Sequence, residues 1–139
     1  MLLNSLNKSE RLKSSRLIGE IISSGESFTV MPLKFFWDLC PGDKNQYPAK
    51  MAVSVSSRNF KRAVDRNLIK RRIREAYRIN KLELYKYLSD NNLFLNSVIL
   101  YMPKTIFTYQ QMEESIKKIL DILINHLQSQ NISKLHNHK

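Results

Sequence analysis

The alternation of apolar and polar residues divides the chain into short segments of two kinds. Residues 14–24 carry Leu17, Ile18, Ile21 and Ile22 at helical spacing, with Ser14 as N-cap and Gly25 at the C-terminal stop. Three strand-like pieces follow. Phe28–Val30 is short. Leu33–Leu39 alternates Leu33, Phe35, Trp37 and Leu39 against Lys34, Phe36 and Asp38. Beyond the turn-rich PGDKNQYP, Lys50–Ser57 sets Met51, Val53 and Val55 against Ala52, Ser54 and Ser56. Both strands pair an apolar face with a second face that is small or polar, as in a sheet packed on one side and open on the other.

A long helix is expected from about Lys61 to the Lys86 region, with a break near Asn80. A fourth strand, Ser97–Met102, ends at Pro103. Thr108 and Gln111 form a capping box at the start of a last helix, whose stripe of Met112, Ile116, Ile119, Leu120, Leu123 and Leu127 reads as core. The order is α-β-β-β-α-β-α. This is an α+β single domain over 1–128, with helices mainly on one face of a four-stranded sheet. An aperiodic, disordered tail is expected over 129–139. Its His136 and His138 lack acidic or cysteine partners and read as solvated.

Charge changes the picture. The 139 residues hold 23 Lys and Arg against 12 Asp and Glu, for a formal net charge of +11. Between Arg58 and Lys81, ten basic residues face only Asp65 and Glu75, a local balance of +8 within 24 residues. On a helical wheel Ile69, Ile73, Ala76 and Tyr77 share one arc, and Asn67, Lys70, Arg71, Arg74 and Arg78 take the neighbouring one; Arg72 points elsewhere. The i, i+4 series Arg66, Lys70, Arg74 and Arg78 is self-repelling by a few tenths of a kcal/mol per pair, about 0.2–0.5. A helix serving only solubility would interleave acids, so this face is read as meeting an external polyanion. Arginine suits that role, because its guanidinium fork matches phosphate.

A second candidate surface is the polar sheet face, where Phe36 stands among Lys34, Ser54 and Ser56. Two readings are open: a stacking platform for unpaired bases, or a residue covered by the first helix. Both hold in part if helix and sheet wall a cleft. Nothing in the chain suggests protein-borne chemistry. There is no metal-ligand spacing, no glycine-rich phosphate loop and no nucleophile with a base, and His126 has no evident partner. Cys40 stands alone and argues for no disulfide. No apolar run is long enough for a membrane span and no signal-peptide core is present, so a cytoplasmic protein is expected.

The stretch KRAVDRNLIKRRIREAYR, residues 61–78, closely resembles the signature of the bacterial ribonuclease P protein component: an Ala-Val pair, an Arg-Asn-Arg core, Lys-Arg, then Arg-(Glu/Gln)-Ala and an aromatic. Ala63, Val64, Arg66, Asn67, Lys70, Arg71, Arg74, Glu75, Ala76 and Tyr77 match. SERLKSS, Gly25, Ser54-Val55-Ser56 and VILYMP extend the resemblance over residues 9–127. Leu68 departs from it at the second arginine of the core. Ile18 and Ile22 stand where the family places an aromatic facing the cleft, and the segment from Arg58 to Arg62 lacks the family's glycine.

The resemblance implies a ribosomal protein S5 domain 2-like fold with a left-handed βαβ crossover. It also implies the function of a ribonuclease P protein subunit that assists removal of the 5′ leader from precursor tRNA. The RNA subunit would carry the chemistry and the magnesium, with no cofactor bound by the protein alone and no obligate protein partner. Arg62, Arg66, Asn67, Lys70, Arg71, Arg74 and Arg78 would bind the catalytic RNA. Arg11, Lys13, Ile18, Ile22, Phe36, Ser54, Ser56 and Arg58 would line the leader cleft. Two other readings are a structural RNA-binding protein of the ribosomal kind and a DNA-binding regulator; against the regulator, no turn places the basic helix second in a helix-turn-helix pair.

Overall fold

A computed structural model describes residues 6–42 and 46–137. A three-residue 3-10 turn, Lys8–Glu10, leads into helix α1 (Ser15–Ser24) and strands β1 (Glu26–Val30), β2 (Leu33–Cys40) and β3 (Ala49–Val55). Helices α2 (Ala63–Asn80) and α3 (Leu82–Asp90), strand β4 (Phe94–Tyr101) and helix α4 (Tyr109–Asn137) complete the order. The sheet runs β1-β2-β4-β3. β1–β2 and β2–β4 are antiparallel, and β3–β4 is parallel. A parallel neighbour needs a crossover, and α2 with α3 supplies it.

Period-two alternation sorts the strands between two packed faces. Toward α2 and α4 point Leu33, Phe35 and Trp37 of β2, Met51, Val53 and Val55 of β3, and Leu95, Ile99 and Tyr101 of β4, all in the main core. The buried stripes of α2 (Ile69, Ile73, Ala76, Tyr77) and α4 (Met112, Ile116, Ile119, Leu123) close this layer. Each Val, Leu, Ile, Phe or Met among them contributes about 1.5–3 kcal/mol by leaving water. The opposite face holds a smaller cluster of Leu12, Ile21, Phe36 and Val98, with Leu17 and Ile18 of α1 packed against it.

The local signals act as expected at both predicted caps. Ser14 Oγ accepts from the Leu17 amide at 3.2 Å. The Thr108 box closes in both directions: Gln111 N donates to Thr108 Oγ1 at 3.1 Å and Thr108 N donates to Gln111 Oε1 at 2.9 Å. Gly25 ends α1 with φ −75°, so conformational freedom is not why glycine is there. A Cβ at Gly25 would sit 2.6 Å from Ile21 O and 2.9 Å from Trp37 O; only glycine lets the helix end meet β2 this closely.

The break expected near Asn80 falls at Lys81, where α2 and α3 meet. Helix α4 continues past Ser129 to Asn137, where an aperiodic tail was expected. No glycine or proline lies between Tyr109 and Asn137 to stop it, so backbone propensity carries the helix beyond its apolar stripe. His138 lies outside the described residues.

Candidate nucleic-acid interface

Helix α2 buries one stripe and leaves its basic flank outside. Ile69, Ile73 and Ala76 have no exposure, and Tyr77 has 1%. Beside them Asn67 and Arg71 are exposed, and Lys70 and Arg74 are half-buried. Among the described residues, none of Lys70, Arg71 and Arg74 makes a salt bridge to an acid. Burial, and secondarily the charge of Arg11, pulls the Arg74 guanidinium below its usual pKa. Arg74 is thus a half-buried cation with no salt bridge among the described residues, and a phosphate would supply its counter-charge.

Other members of the predicted set are partly engaged. Arg66 Nη1 donates to the carbonyls of Phe60 at 2.7 Å and Lys61 at 3.0 Å, closing the loop that enters α2. Arg78 pairs with Glu75, Nη2 to Oε1 at 2.5 Å; it is not the free cation the wheel suggested, because Glu75 lies one turn before it. Arg62 is the exposed N-cap of α2, with no side-chain cap bond. Lys81, counted with the surface cations, is 1% exposed and paired with Glu10, so it adds nothing to the basic flank. Arg72 Nη1 donates to Phe107 O at 2.8 Å and ties α2 to the loop before α4.

The cleft residues divide more sharply. Phe36 is 6% exposed and packed with Ile21 and Leu12 beneath α1, which removes it as an open stacking platform. An unpartnered phenyl ring on a sheet gains more from a covering helix than from water. Ile18 packs on the same cluster, while Ile22 is 39% exposed on the rim. Ser54 is half-buried on β3. The Ser56 hydroxyl accepts from the amides of Arg58 at 3.1 Å and Asn59 at 3.4 Å, so it shapes the turn after β3. Arg11, Lys13 and Arg58 are exposed. The end of this face opens into a groove lined by Leu17, Tyr47, Lys50, Phe94 and Asn96.

Sequence reasoning missed the contacts of His126, which lie apart from the basic flank. His126 meets Trp37 edge-on, with ring centroids 5.5 Å apart, and its Nε2 lies 3.6 Å from Glu26 Oε1. Both partners are distant in sequence, and no local signal pointed to them. Among the described residues no three of His, Cys, Asp and Glu come together to hold a metal ion. No helix among them is long and apolar enough to cross a membrane.

These features define a class: a small α+β domain that lays an arginine-rich helix on its sheet, with Lys70, Arg71 and Arg74 on one flank making no salt bridge among the described residues. The family model for Ribonuclease P matches residues 6–124. The chain is 33% identical over 115 residues to the ribonuclease P protein component of Porphyromonas gingivalis, covering 83% of each chain. It is 31% identical over 126 residues to that of Chlorobium phaeobacteroides, covering 84% of this chain and 86% of the relative. The fold matches the Staphylococcus aureus RNase P protein with a TM-score of 0.64 at 24% identity, over 84% of this chain and 96% of that one. The chain belongs to the ribonuclease P protein component family.

Proposed function

We propose that this chain acts as the protein subunit of ribonuclease P, docking the basic flank of α2 on the catalytic RNA and holding the 5′ leader of precursor tRNA against the sheet. The observation that carries this reading is the flank itself. Lys70, Arg71 and Arg74 adjoin a stripe fixed in the core, yet among the described residues no acid pairs with them. Such a surface is self-repelling until phosphates neutralise it, and displaced counterions then drive association.

The leader would run along the part of the sheet face that α1 does not cover. With Phe36 buried, contacts on this path fall to Arg11, Lys13, Arg58 and Lys50, with Ser54 as a hydrogen-bonding group and Ile22 as an apolar rim. Recognition then rests mainly on the phosphate backbone, which orders a strand without reading its sequence.

The chemistry is assigned to the RNA subunit. Glu75 and Glu10 are engaged by Arg78 and Lys81, and in this reading magnesium belongs with the RNA. The protein's side chains bind, orient and neutralise.

Reconstitution tests the whole proposal. Protein added to ribonuclease P RNA should stimulate cleavage of precursor tRNA at low magnesium, and protein alone should cleave nothing. Cleavage by rigorously purified protein without RNA, or no effect on the RNA reaction, would refute it.

A further inference from the structure

Arg66 belongs to the basic row of α2, yet its guanidinium is turned onto its own chain. Nη1 donates to Phe60 O at 2.7 Å and to Lys61 O at 3.0 Å, and the residue is half-buried. The two carbonyls are consecutive. They belong to the planar peptide units on either side of the Lys61 Cα, so one nitrogen holds both planes and fixes the backbone at Lys61.

The rest of the loop is anchored as well. Phe60 is 7% exposed, and its ring lies against that of Tyr101, with centroids 5.9 Å apart. Phe60 N donates to Ser56 O at 3.0 Å. On the helix side, the amides of Asp65 and Arg66 donate to Arg62 O at 3.2 and 3.3 Å. The backbone is therefore held at Phe60, Lys61 and Arg62 in turn. What stays outside is the pair of cationic side chains. Lys61 and Arg62 are exposed, and among the described residues neither makes a salt bridge. The Arg62 side chain makes no cap bond to the helix it begins. Adjacent cations on a loose segment would swing apart, and ordering them on binding would cost entropy. On this segment the backbone is ordered beforehand.

We infer that Arg66 is a positioning residue for RNA docking, and that Lys61 and Arg62 are the phosphate contacts it holds in place at the entrance to α2. The inference rests on the RNA-docking reading above and extends it to Lys61. It also moves Arg66 from the contacts suggested by the sequence to the support beneath them. Arginine suits this role, because one planar nitrogen carries two hydrogens in fixed directions, one for each carbonyl. A lysine ammonium on a shorter stem keeps the charge without that fork.

The test is binding of the full chain to a transcript of the ribonuclease P RNA from the same organism, titrated with salt. With Arg66 in place, Lys61→Gln combined with Arg62→Gln should lower the logarithmic salt slope by about two. In an Arg66→Lys background the same pair should lower it by less than about one, although the charge at position 66 is kept. Arg66→Met, which removes the donor altogether, should give the same result. Lys70→Ala combined with Arg71→Ala should act equally in all three backgrounds, which separates local positioning from general damage to the fold. A loop pair that costs as much in both Arg66 variants as in the wild type would refute positioning. So would a flank pair whose effect disappears together with that of the loop.

A second readout needs no RNA. Amide exchange at Phe60 should quicken by about tenfold in Arg66→Met, the effect of losing a hydrogen bond of ordinary worth, while amides of α4 keep their rates. An unchanged Phe60 rate would contradict the proposal. Wild-type protein with no salt-dependent affinity for the RNA would overturn the docking reading together with this one. Salt-dependent wild-type binding that Lys61→Gln with Arg62→Gln leaves untouched would overturn this one alone.

Discussion

The Lys34 ammonium stands 5.1 Å from the centre of the Phe36 ring, and that ring is packed with Ile21 and Leu12 under α1. An aromatic that looked available for base stacking is therefore a core residue of the sheet's second face, with a cation at its rim. Phe36→Ala should lower the unfolding free energy by about 3–5 kcal/mol, as large-to-small changes at buried aromatics do. At a temperature where the variant is folded, its affinity should fall equally for leader-bearing and leaderless precursor tRNA. Urea denaturation and paired binding assays check both points. Wild-type stability with a selective loss for the long leader would return Phe36 to the binding surface.

Arg71 and Arg72 are adjacent in sequence and opposite in role. Arg71 is exposed on the basic flank, whereas Arg72 donates to Phe107 O at 2.8 Å. Arg72→Ala should cost about 1–2 kcal/mol of stability, the worth of a charge-assisted bond to a part-buried carbonyl. It should leave the salt dependence of RNA binding unchanged. Arg71→Ala should do the reverse, holding the denaturation midpoint and lowering the salt slope by about one. Identical behaviour of the two variants would contradict the assignment.

Stability should also fall at alkaline pH in a defined direction. Burial is the first cause that raises the pKa of both Tyr77 and Tyr85; the coulombic effect of Tyr77 and the hydrogen bond to Glu10 add to it for Tyr85, while the bond to Tyr85 partly opposes it for Tyr77. An unfolded tyrosine gives up its proton near pH 10, about its ordinary value. The folded protein keeps these protons, so above that pH the unfolded state binds fewer and stability declines as pH rises. Below it, these tyrosines contribute no pH dependence. Denaturation midpoints measured between pH 8 and 11 should show the decline, with a shallower slope for Tyr85→Phe. Parallel declines in the two proteins would count against this origin.

The parts of the fold that could be read from sequence are those governed by local rules. Helix α1 and its Ser14 cap, the alternation in β2 and β3, the Thr108 box and the buried stripe of α2 all depend on residues within a few positions of one another. Long-range pairing could not be read in this way. Lys81 counted as one more surface cation because nothing near it in sequence shows that Glu10, at the other end of the domain, meets it in the interior. The hydrophobic pattern placed Phe36 on the second face of the sheet but could not say whether α1 would lie across it. The engagement of Arg66 and Arg72 could not be read either, since their partners are backbone carbonyls, which carry no sequence signal. The basic flank itself was legible, because charge density and helical register are both local.

The most direct test of RNA docking through α2 is the salt dependence of binding between this protein and ribonuclease P RNA, comparing wild type with Lys70→Ala, Arg71→Ala and Arg74→Ala combined. If the flank meets phosphates, the logarithmic slope should shrink by about two to three in the triple variant while its denaturation midpoint stays close to wild type. A triple variant that folds normally and keeps the wild-type slope would contradict the account.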